Sequence, residues 1–347
     1  MDRKIAIYGA GSMGTVLGSY LSKAGTAADL ISRDKEHIEA LKKTGARIGG
    51  LVSFSVPPFD GKEGRGLAML PEEMKDKYDI IFLLTKQVDN AKTARILGDF
   101  LTPKGILCTL QNGIPETALA EILGEDRVAG CICVWGAGKT APGVVDITSD
   151  PKNMNFGLGS INGECPMLDE IQSILEKMCP VIREKNFIGV RWSKLVVNAA
   201  LTGLSVITGF HFGTIVKNRK SNDFALRIVK ECIDVCSAAN VKIEPVQGKD
   251  IVRLMNYKNS LQKFICSLIL PIATRKHHKI RSSMLPDLDR GRKCEIDYVN
   301  GVVCSWGKKY GVPTPCNDRI VQIVHSIERG ERKYCPQNLD LLYTPGN

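Results

Sequence analysis

The chain is expected to fold as an α/β Rossmann-type doubly wound N-terminal domain followed by an all-α C-terminal domain. Three observations predict this. Apolar runs of strand length alternate with helical patterns through the first half. A Gly9-x-Gly11-x-x-Gly14 loop stands between the first such run and the first helix. Long helical patterns dominate from Val190 onward. With 347 residues, the chain can hold two domains and a sizeable core.

The elements follow in order. Lys4 to Tyr8 is a short apolar run suited to a strand buried in a parallel sheet. Thr15 to Ala24 reads as a helix, stopped by Gly25. Ala28 to Ser32 is a second strand and Glu36 to Lys43 a second helix. Asp79 to Leu84 and Gly105 to Leu110 are strongly apolar strands. Val128 to Trp135 and Gly143 to Thr148 are expected to extend the same sheet. The texture changes near residue 185, so the dinucleotide-binding domain is placed at 1–185 and the helical domain at 186–333. Phe224 to Ala239 and Glu295 to Tyr310 are its clearest helices, and Tyr334 to Asn347, with two prolines and a glycine, is expected to be a loose tail.

Hydrophobic residues make up 44% and charged residues 24%, ordinary values for a globular protein. The net charge is +10, but there is no run of five like charges, so nucleic acid is not an expected partner. A positive cleft suits a phosphorylated cofactor and a carboxylate substrate. Twelve cysteines are scattered without a Cys-x-x-Cys, and the five histidines have no metal-ligand spacing, so no metal is expected. Many unpatterned cysteines, no export signal and no apolar stretch of 18 residues predict a cytoplasmic protein that does not enter a membrane.

In the loop Gly9-Ala10-Gly11-Ser12-Met13-Gly14, Gly9 permits the tight turn and Gly11 lets the backbone approach a pyrophosphate. Gly14 allows close helix–strand packing, and the helix N-terminus offers free N–H groups and a positive dipole end. The second strand ends Ser32-Arg33-Asp34. Arg33 at the strand tip would hold a 2′-phosphate and select NADP(H), whereas Asp34 there would favour NAD. The strand ends naturally at Ser32, so Arg33 and NADP(H) are preferred. Thr85-Lys86-Gln87 and Gln111-Asn112-Gly113 follow strand C-terminal ends, where ligands of open α/β sheets bind.

In the second half, Lys194 and Asn198 stand at i and i+4 in a helix whose other residues are largely apolar. A lysine there is costly unless it has a partner or a task, or snorkels at the helix end. Glu295 precedes another apolar helix, and a Lys194–Glu295 pair would serve as a salt bridge or as chemistry.

Taken together, the loop Gly9–Gly14, Lys86, Gln111-Asn112-Gly113, Trp192-x-Lys194-x-x-x-Asn198, Ser283-Met284-Leu285-x-Asp287 and Glu295-Ile296-Asp297-Tyr298-x-Asn300-Gly301 resemble the ketopantoate reductase (2-dehydropantoate 2-reductase) family. They occur in that family's order over residues 5 to 301. The resemblance implies a C-terminal domain like that of 6-phosphogluconate dehydrogenase and reduction of ketopantoate to (R)-pantoate by NADPH, a step of pantothenate and coenzyme A synthesis. It implies Lys194 as general acid, with Glu295 orienting it and sharing in ligand binding. It implies that Ser283, Asn198 and Asn112 hold the oxo acid, with Asn112 also near the cofactor, and that Arg33 and Lys86 meet the adenosine phosphate end.

Two positions depart from the family pattern. Thr202 and Ile280 stand where asparagines are often found. Thr202 remains a candidate substrate contact through its hydroxyl. These departures keep open a related D-2-hydroxyacid dehydrogenase acting on another branched or aryl 2-oxo acid. A catalytically silent NADP(H) sensor would have no need of Lys194 and Glu295 together. The helical half offers surface for a homodimer, which the sequence alone does not decide.

Overall fold

A computed structural model describes residues 3–163, 165–245 and 248–343 of the chain. It divides into two units, one holding the residues up to Gln111 and Pro115–Phe187, the other Asn112–Ile114 and the residues from Ile188 on.

The first unit runs β1 (Ile5–Tyr8), α1 (Ser12–Lys23), β2 (Asp29–Ile31), α2 (Lys35–Thr44), β3 (Ala46–Gly50), β4 (Phe54–Val56), β5 (Ala68–Met69) and β6 (Tyr78–Leu83). It continues through α3 (Asn90–Phe100), β7 (Leu101–Thr109), α4 (Glu116–Leu123), β8 (Val128–Cys133), β9 (Ala137–Ala141), β10 (Val144–Ile147), β11 (Phe156–Gly159), α5 (Leu168–Leu175) and β12 (Val181–Arg183). The main sheet has the order β12-β11-β8-β7-β6-β1-β2-β5. Its strands pair in parallel from β5 to β8, and β11 is antiparallel to β8. The chain reverses direction across the sheet at β1, with β2 on one side and β6 on the other, which makes the C-terminal end of β1 a switch point.

The period of two along a strand explains the continuous apolar runs. Ile80 and Phe82 join one apolar cluster with Val16, Leu17 and Leu21 of α1. Ile81 and Leu83 join another with Ala94 and Leu97 of α3 and Leu119 of α4. Both faces of the sheet are thus covered by helices, so every position of β6 except the half-buried Asp79 is buried.

Gly143–Thr148 does not extend this sheet. β10 belongs to a second, four-stranded sheet of order β4-β3-β10-β9. The segment is a strand, but its partners are β3, in parallel, and β9, antiparallel through a tight turn. Ile48, Val145 and Ile147 carry the inner face of this small sheet into the core cluster that contains α1.

The second unit is helical: α6 (Phe187–Thr208), α7 (Phe212–Lys217), α8 (Arg219–Ala238), α9 (Ile251–Met255), α10 (Ser260–Ala273), α11 (Leu285–Leu288), α12 (Asn300–Tyr310) and α13 (Pro315–Glu328). Trp192, Leu195, Val196, Ala199, Ala200 and Leu204 make α6 part of its core. Trp192 meets Trp306 of α12 edge to face at 5.2 Å between ring centroids.

Two expectations are corrected here. Glu295–Tyr310 is not one helix: Ile296–Tyr298 is a single 3-10 turn, and Val299, at φ −121° and ψ −85°, separates it from α12. The supposed loose tail is packed where it is described. Pro336–Leu342 forms a 3-10 turn with Leu339 and Leu342 in the core, and Asn338 donates to Ile207 O at 2.8 Å. Residues 344–347 lie outside the described residues.

Candidate active site

The nucleotide loop is built at the end of β1. Gly9 N and Ala10 N both donate to Ile31 O of β2, and Gly11 N donates back to Gly9 O at 2.7 Å, which closes the turn. Gly9 has φ +106°, and a Cβ there would lie 2.6 Å from Thr85 N. A Cβ on Gly14 would lie 2.5 Å from Gly9 O and 3.1 Å from Ile7 Cγ2, so helix and strand approach closely there. A Cβ on Gly11 would meet nothing within 4 Å. Here glycine leaves open space where the other two relieve contacts inside the fold.

Gly11 stands at the N-cap of α1, which has no side-chain cap and no acidic residue in its first turn. Its first N–H groups and the positive end of its dipole are therefore available to an anion. The Thr85 hydroxyl oxygen, at the end of β6 beside Gly9, is buried without a hydrogen-bond partner among the described residues. An uncapped helix, an open Gly11 and an unpaired buried hydroxyl fit a dinucleotide pyrophosphate at this loop.

Beneath the loop is a chain of polar contacts. Gly143 N donates to His37 Nδ1 at 3.0 Å, so the imidazole carries its proton on Nε2 and donates it to Thr15 Oγ1 at 2.8 Å. The Thr15 hydroxyl in turn donates to Ala10 O at 3.4 Å. Burial, and secondarily Lys139, hold His37 below its ordinary pKa and keep it neutral. This links the glycine loop to the β9–β10 turn of the small sheet. Sequence reading missed it, and the visible signal was weak: His37 lies three residues after the helix-capping Asp34.

The two alternatives at the end of β2 have different surroundings. Asp34 caps α2 by accepting from His37 N at 3.1 Å and pairs with Lys139. The Lys139 hydrogen bond leads the factors that hold its carboxyl below the usual range. The Arg33 guanidinium is 79% exposed, with only a loose 3.9 Å approach to the less exposed Asp89. Lys86 is exposed and precedes the 3-10 turn Gln87–Asp89. Gln111 is buried, and its amide exchanges hydrogen bonds with Asn90 and donates to Thr85 O at 2.8 Å. The Gln111–Asn90 pair fixes the loop that carries Thr85 and Lys86, a role not evident from the polar loop residues alone.

The other candidates lie in the helical unit. Lys194 and Asn198 are half-buried on α6, and Thr202, one turn on, is 8% exposed. The three therefore stand at i, i+4 and i+8 on one face. Asn112 and Ser283 are exposed and Glu295 is half-buried. Two anchors tie their segments to α6. Ser282 N donates to Ser205 Oγ at 3.0 Å, which fixes the start of the segment carrying Ser283. Asn300 Nδ2 donates to Ala199 O at 3.1 Å and to Asn317 Oδ1 at 2.9 Å, which fixes α12 five residues after Glu295. Glu231 completes this buried network by accepting from the Cys316 and Asn317 backbone N–H groups and from Asn317 Nδ2. Burial raises its carboxyl pKa against those hydrogen bonds.

All twelve cysteines are free thiols. Among the described residues no helix is long and apolar enough to cross a membrane, and no group of three metal-binding side chains could hold an ion.

Comparison with known proteins bears on both units. Residues 5–160 match the family model described as ketopantoate reductase PanE/ApbA, and residues 186–328 match the model of its C-terminal domain. The chain is 25% identical over 331 residues to a 2-dehydropantoate 2-reductase of Archaeoglobus fulgidus, covering 94% of this chain and 99% of that one. It is 28% identical over 332 residues to one of Lactococcus lactis, covering 94% and 98%. Among solved structures it is similar in fold to a ketopantoate reductase family protein of Ralstonia eutropha, with TM-score 0.77 at 24% identity over 94% and 99% of the two chains. It is similarly close to a D-mandelate dehydrogenase solved with NADH and anilino(oxo)acetate, with TM-score 0.76 at 24% identity over 94% and 99%.

Proposed function

The chain belongs to the ketopantoate reductase family, an oxidoreductase family, and from that premise we propose that it reduces 2-dehydropantoate to (R)-pantoate with NADPH. The observation that carries this is the match of both family models, one on each unit, with Lys194 and Glu295 in the second and the glycine loop in the first. Pantoate made this way enters pantothenate synthesis. Free thiols throughout suit a reducing cytoplasm. We further infer a homodimer formed by the helical unit.

NADPH, when bound, supplies a hydride to the ketone carbon. Gly9 to Gly14 receive its pyrophosphate on the uncapped N-terminus of α1. Arg33, left free by the capping role of Asp34, and Lys86 take the 2′-phosphate end. In the helical unit, the Lys194 ammonium stabilises the charge that grows on the carbonyl oxygen and gives it a proton from Nζ. The Glu295 carboxylate orients that ammonium and contacts the ligands, and water returns the proton to the lysine afterwards. Asn198, Asn112 and Ser283 hold the carboxylate and hydroxyl of the oxo acid without adding net charge. Thr202 adds a hydroxyl at the buried end of the same helical face.

The test is the loss of reduced-nicotinamide absorbance with 2-dehydropantoate, run beside branched and aryl 2-oxo acids and with NADPH or NADH. Fast turnover confined to NADPH and 2-dehydropantoate supports the proposal. One observation favours a second reading. Thr202 and Ile280 lack the amides often found at those positions, and Ile280 is 44% exposed. A D-2-hydroxyacid dehydrogenase acting on a bulkier oxo acid would need fewer such amides. Preference for an aryl or branched oxo acid over 2-dehydropantoate would establish that reading in place of the first.

A further inference from the structure

The β9–β10 hairpin of the small sheet meets the start of α2 at two places. At its turn, Gly143 N donates to His37 Nδ1 at 3.0 Å, and Gly143 O accepts from Arg47 N at 2.9 Å. A Cβ on Gly143 would lie 3.2 Å from Ala40 Cβ, so the turn is seated closely on the helix. On β9 itself, the Lys139 ammonium pairs with the Asp34 carboxylate. Asp34 follows β2, where an acid selects NAD by accepting from the ribose 2′-OH and would repel a 2′-phosphate. Here both of its oxygens are engaged: Oδ1 accepts from His37 N at 3.1 Å, and Oδ2 takes Lys139. The Lys139 side chain is 34% exposed against 79% for Arg33, so one cation beside Asp34 is held while the other stands in solvent. The Lys139 bond is also the leading cause that holds the Asp34 carboxyl below the usual range, so at neutral pH this acid is charged.

We propose that Lys139 determines cofactor specificity: by neutralising Asp34 it cancels the NAD-selecting acid at the end of β2 and lets Arg33 meet a 2′-phosphate unopposed. This rests on the NADPH reading above and on the part Arg33 plays in it. Lys139 acts through Asp34 and is a positioning residue, with no need to touch the nucleotide. A phosphate monoester carries about −1.5 to −2 charges at neutral pH. With Lys139 present, the Asp34–Lys139 pair opposes that charge with nothing. Without it, a full carboxylate stands one residue from Arg33, and a ribose 2′-OH gains an acceptor. An ion pair this exposed adds little to stability, so its effect belongs to ligand choice rather than to folding. The lysine comes from 105 positions along the chain. The sequence around β2 therefore shows the acid and the arginine side by side but not what decides between them.

Calorimetric titration of the full chain with 2′,5′-ADP and with 5′-AMP tests it, since these adenosine fragments differ only in the 2′-phosphate. The wild type is expected to bind 2′,5′-ADP at least about tenfold more tightly than 5′-AMP. Lys139→Met keeps the aliphatic stem and drops the charge. It is expected to weaken 2′,5′-ADP at least about tenfold, with 5′-AMP bound as well as before or better. Adding Asp34→Asn, whose amide oxygen can still cap α2, should restore 2′,5′-ADP to within about threefold of the wild type. Lys139→Arg should keep the preference. Asp34→Asn alone leaves the hairpin lysine in place and should tighten 2′,5′-ADP, which reads the same charge without disturbing β9. Fluorescence titrations with NADPH and NADH should follow the same order, and thermal midpoints should stay near that of the wild type. A wild type that binds both fragments equally overturns the NADPH reading and this inference with it. A wild type that prefers 2′,5′-ADP, joined by a Lys139→Met protein that keeps that preference, overturns the inference alone. A double variant that stays weak also overturns it, because Lys139 would then be a direct phosphate ligand.

Discussion

At the scale of single residues, the proposed chemistry rests most heavily on Lys194. Its replacement by alanine removes both the charge beside the carbonyl oxygen and the transferable proton. Lys194→Ala is expected to lower kcat by about 10²-fold or more, while NADPH still binds with near wild-type affinity in a fluorescence titration. Unchanged turnover would exclude the acid role, and lost cofactor binding would point to a structural one. A second residue sets a pH limit. His37 is held neutral, below its ordinary pKa, mainly by burial. The unfolded chain takes up a proton there that the folded chain resists, so its contribution is intact above the unfolded value of about 6.5 and is lost as pH falls through the depressed folded value. Protonation of Nδ1 would also end its acceptance from Gly143 N and loosen the support of Ala10 O through Thr15. The thermal midpoint should therefore drop in the wild type as pH falls below about 6.5, and drop less steeply in His37→Asn, whose amide oxygen can accept without titrating. Parallel pH profiles for the two proteins would remove His37 from the account.

At the scale of elements, the glycine loop separates folding from binding within six residues. Gly14→Ala puts a Cβ 2.5 Å from backbone oxygen Gly9 O, which cannot swing aside, so a loss of about 1–3 kcal/mol in stability is expected. Gly11→Ala meets open space, so stability should change by less than about 1 kcal/mol while NADPH affinity falls about tenfold or more. Urea melts and cofactor titrations on both variants check the contrast, and a Gly11→Ala protein that binds NADPH normally would show that the pyrophosphate does not pass over that residue. This loop was readable from sequence because three fixed glycines between a strand and a helix have few other uses. The strand segment Asp79–Leu84 was readable for a similar reason, since only a strand covered on both faces needs five apolar residues in a row, Ile80 to Leu84. The small second sheet was not readable. β3, β4, β9 and β10 are short and half exposed, and β10 pairs in parallel with β3, almost 100 positions earlier in the chain. Local pattern identifies such a segment as a strand but does not choose its neighbour. The 3-10 turn at Pro336–Leu342 escaped for another reason. Leu339 and Leu342 bury without a helical period long enough to register, and Asn338 secures them through a backbone carbonyl 131 positions away. Of the candidate site, the residue types were visible in sequence. Their supports, Asn90 against Gln111 and Asn300 with Asn317 and Glu231, are pairings between distant positions that no single segment announces.

At the scale of the whole molecule, charge and cofactor choice meet. The chain carries a net charge of +10, and NADPH is a polyanion with one more phosphate than NADH. Attraction between the two acts over a distance set by salt, about 10 Å at 0.1 M and about 3 Å at 1 M. Long-range steering should therefore raise kcat/KM for NADPH at low ionic strength and fade as salt is added. The extra phosphate gives NADPH the larger dependence. An expected outcome is a fall of about tenfold in kcat/KM for NADPH between roughly 0.05 and 0.5 M salt, with a clearly smaller fall for NADH. On the proposed reading Arg33 would be the local part of this effect, since it is exposed and only loosely approached by Asp89. In Arg33→Ala, KM for NADPH should rise and KM for NADH should hardly move, so the two salt slopes should converge. Steady-state kinetics with both cofactors across a salt series separate the contributions. Equal slopes in the wild type would mean that net charge steers both cofactors alike and that the 2′-phosphate has no partner at Arg33. Unequal slopes that persist in Arg33→Ala would move that partner to another cation, with Lys86 the first to replace.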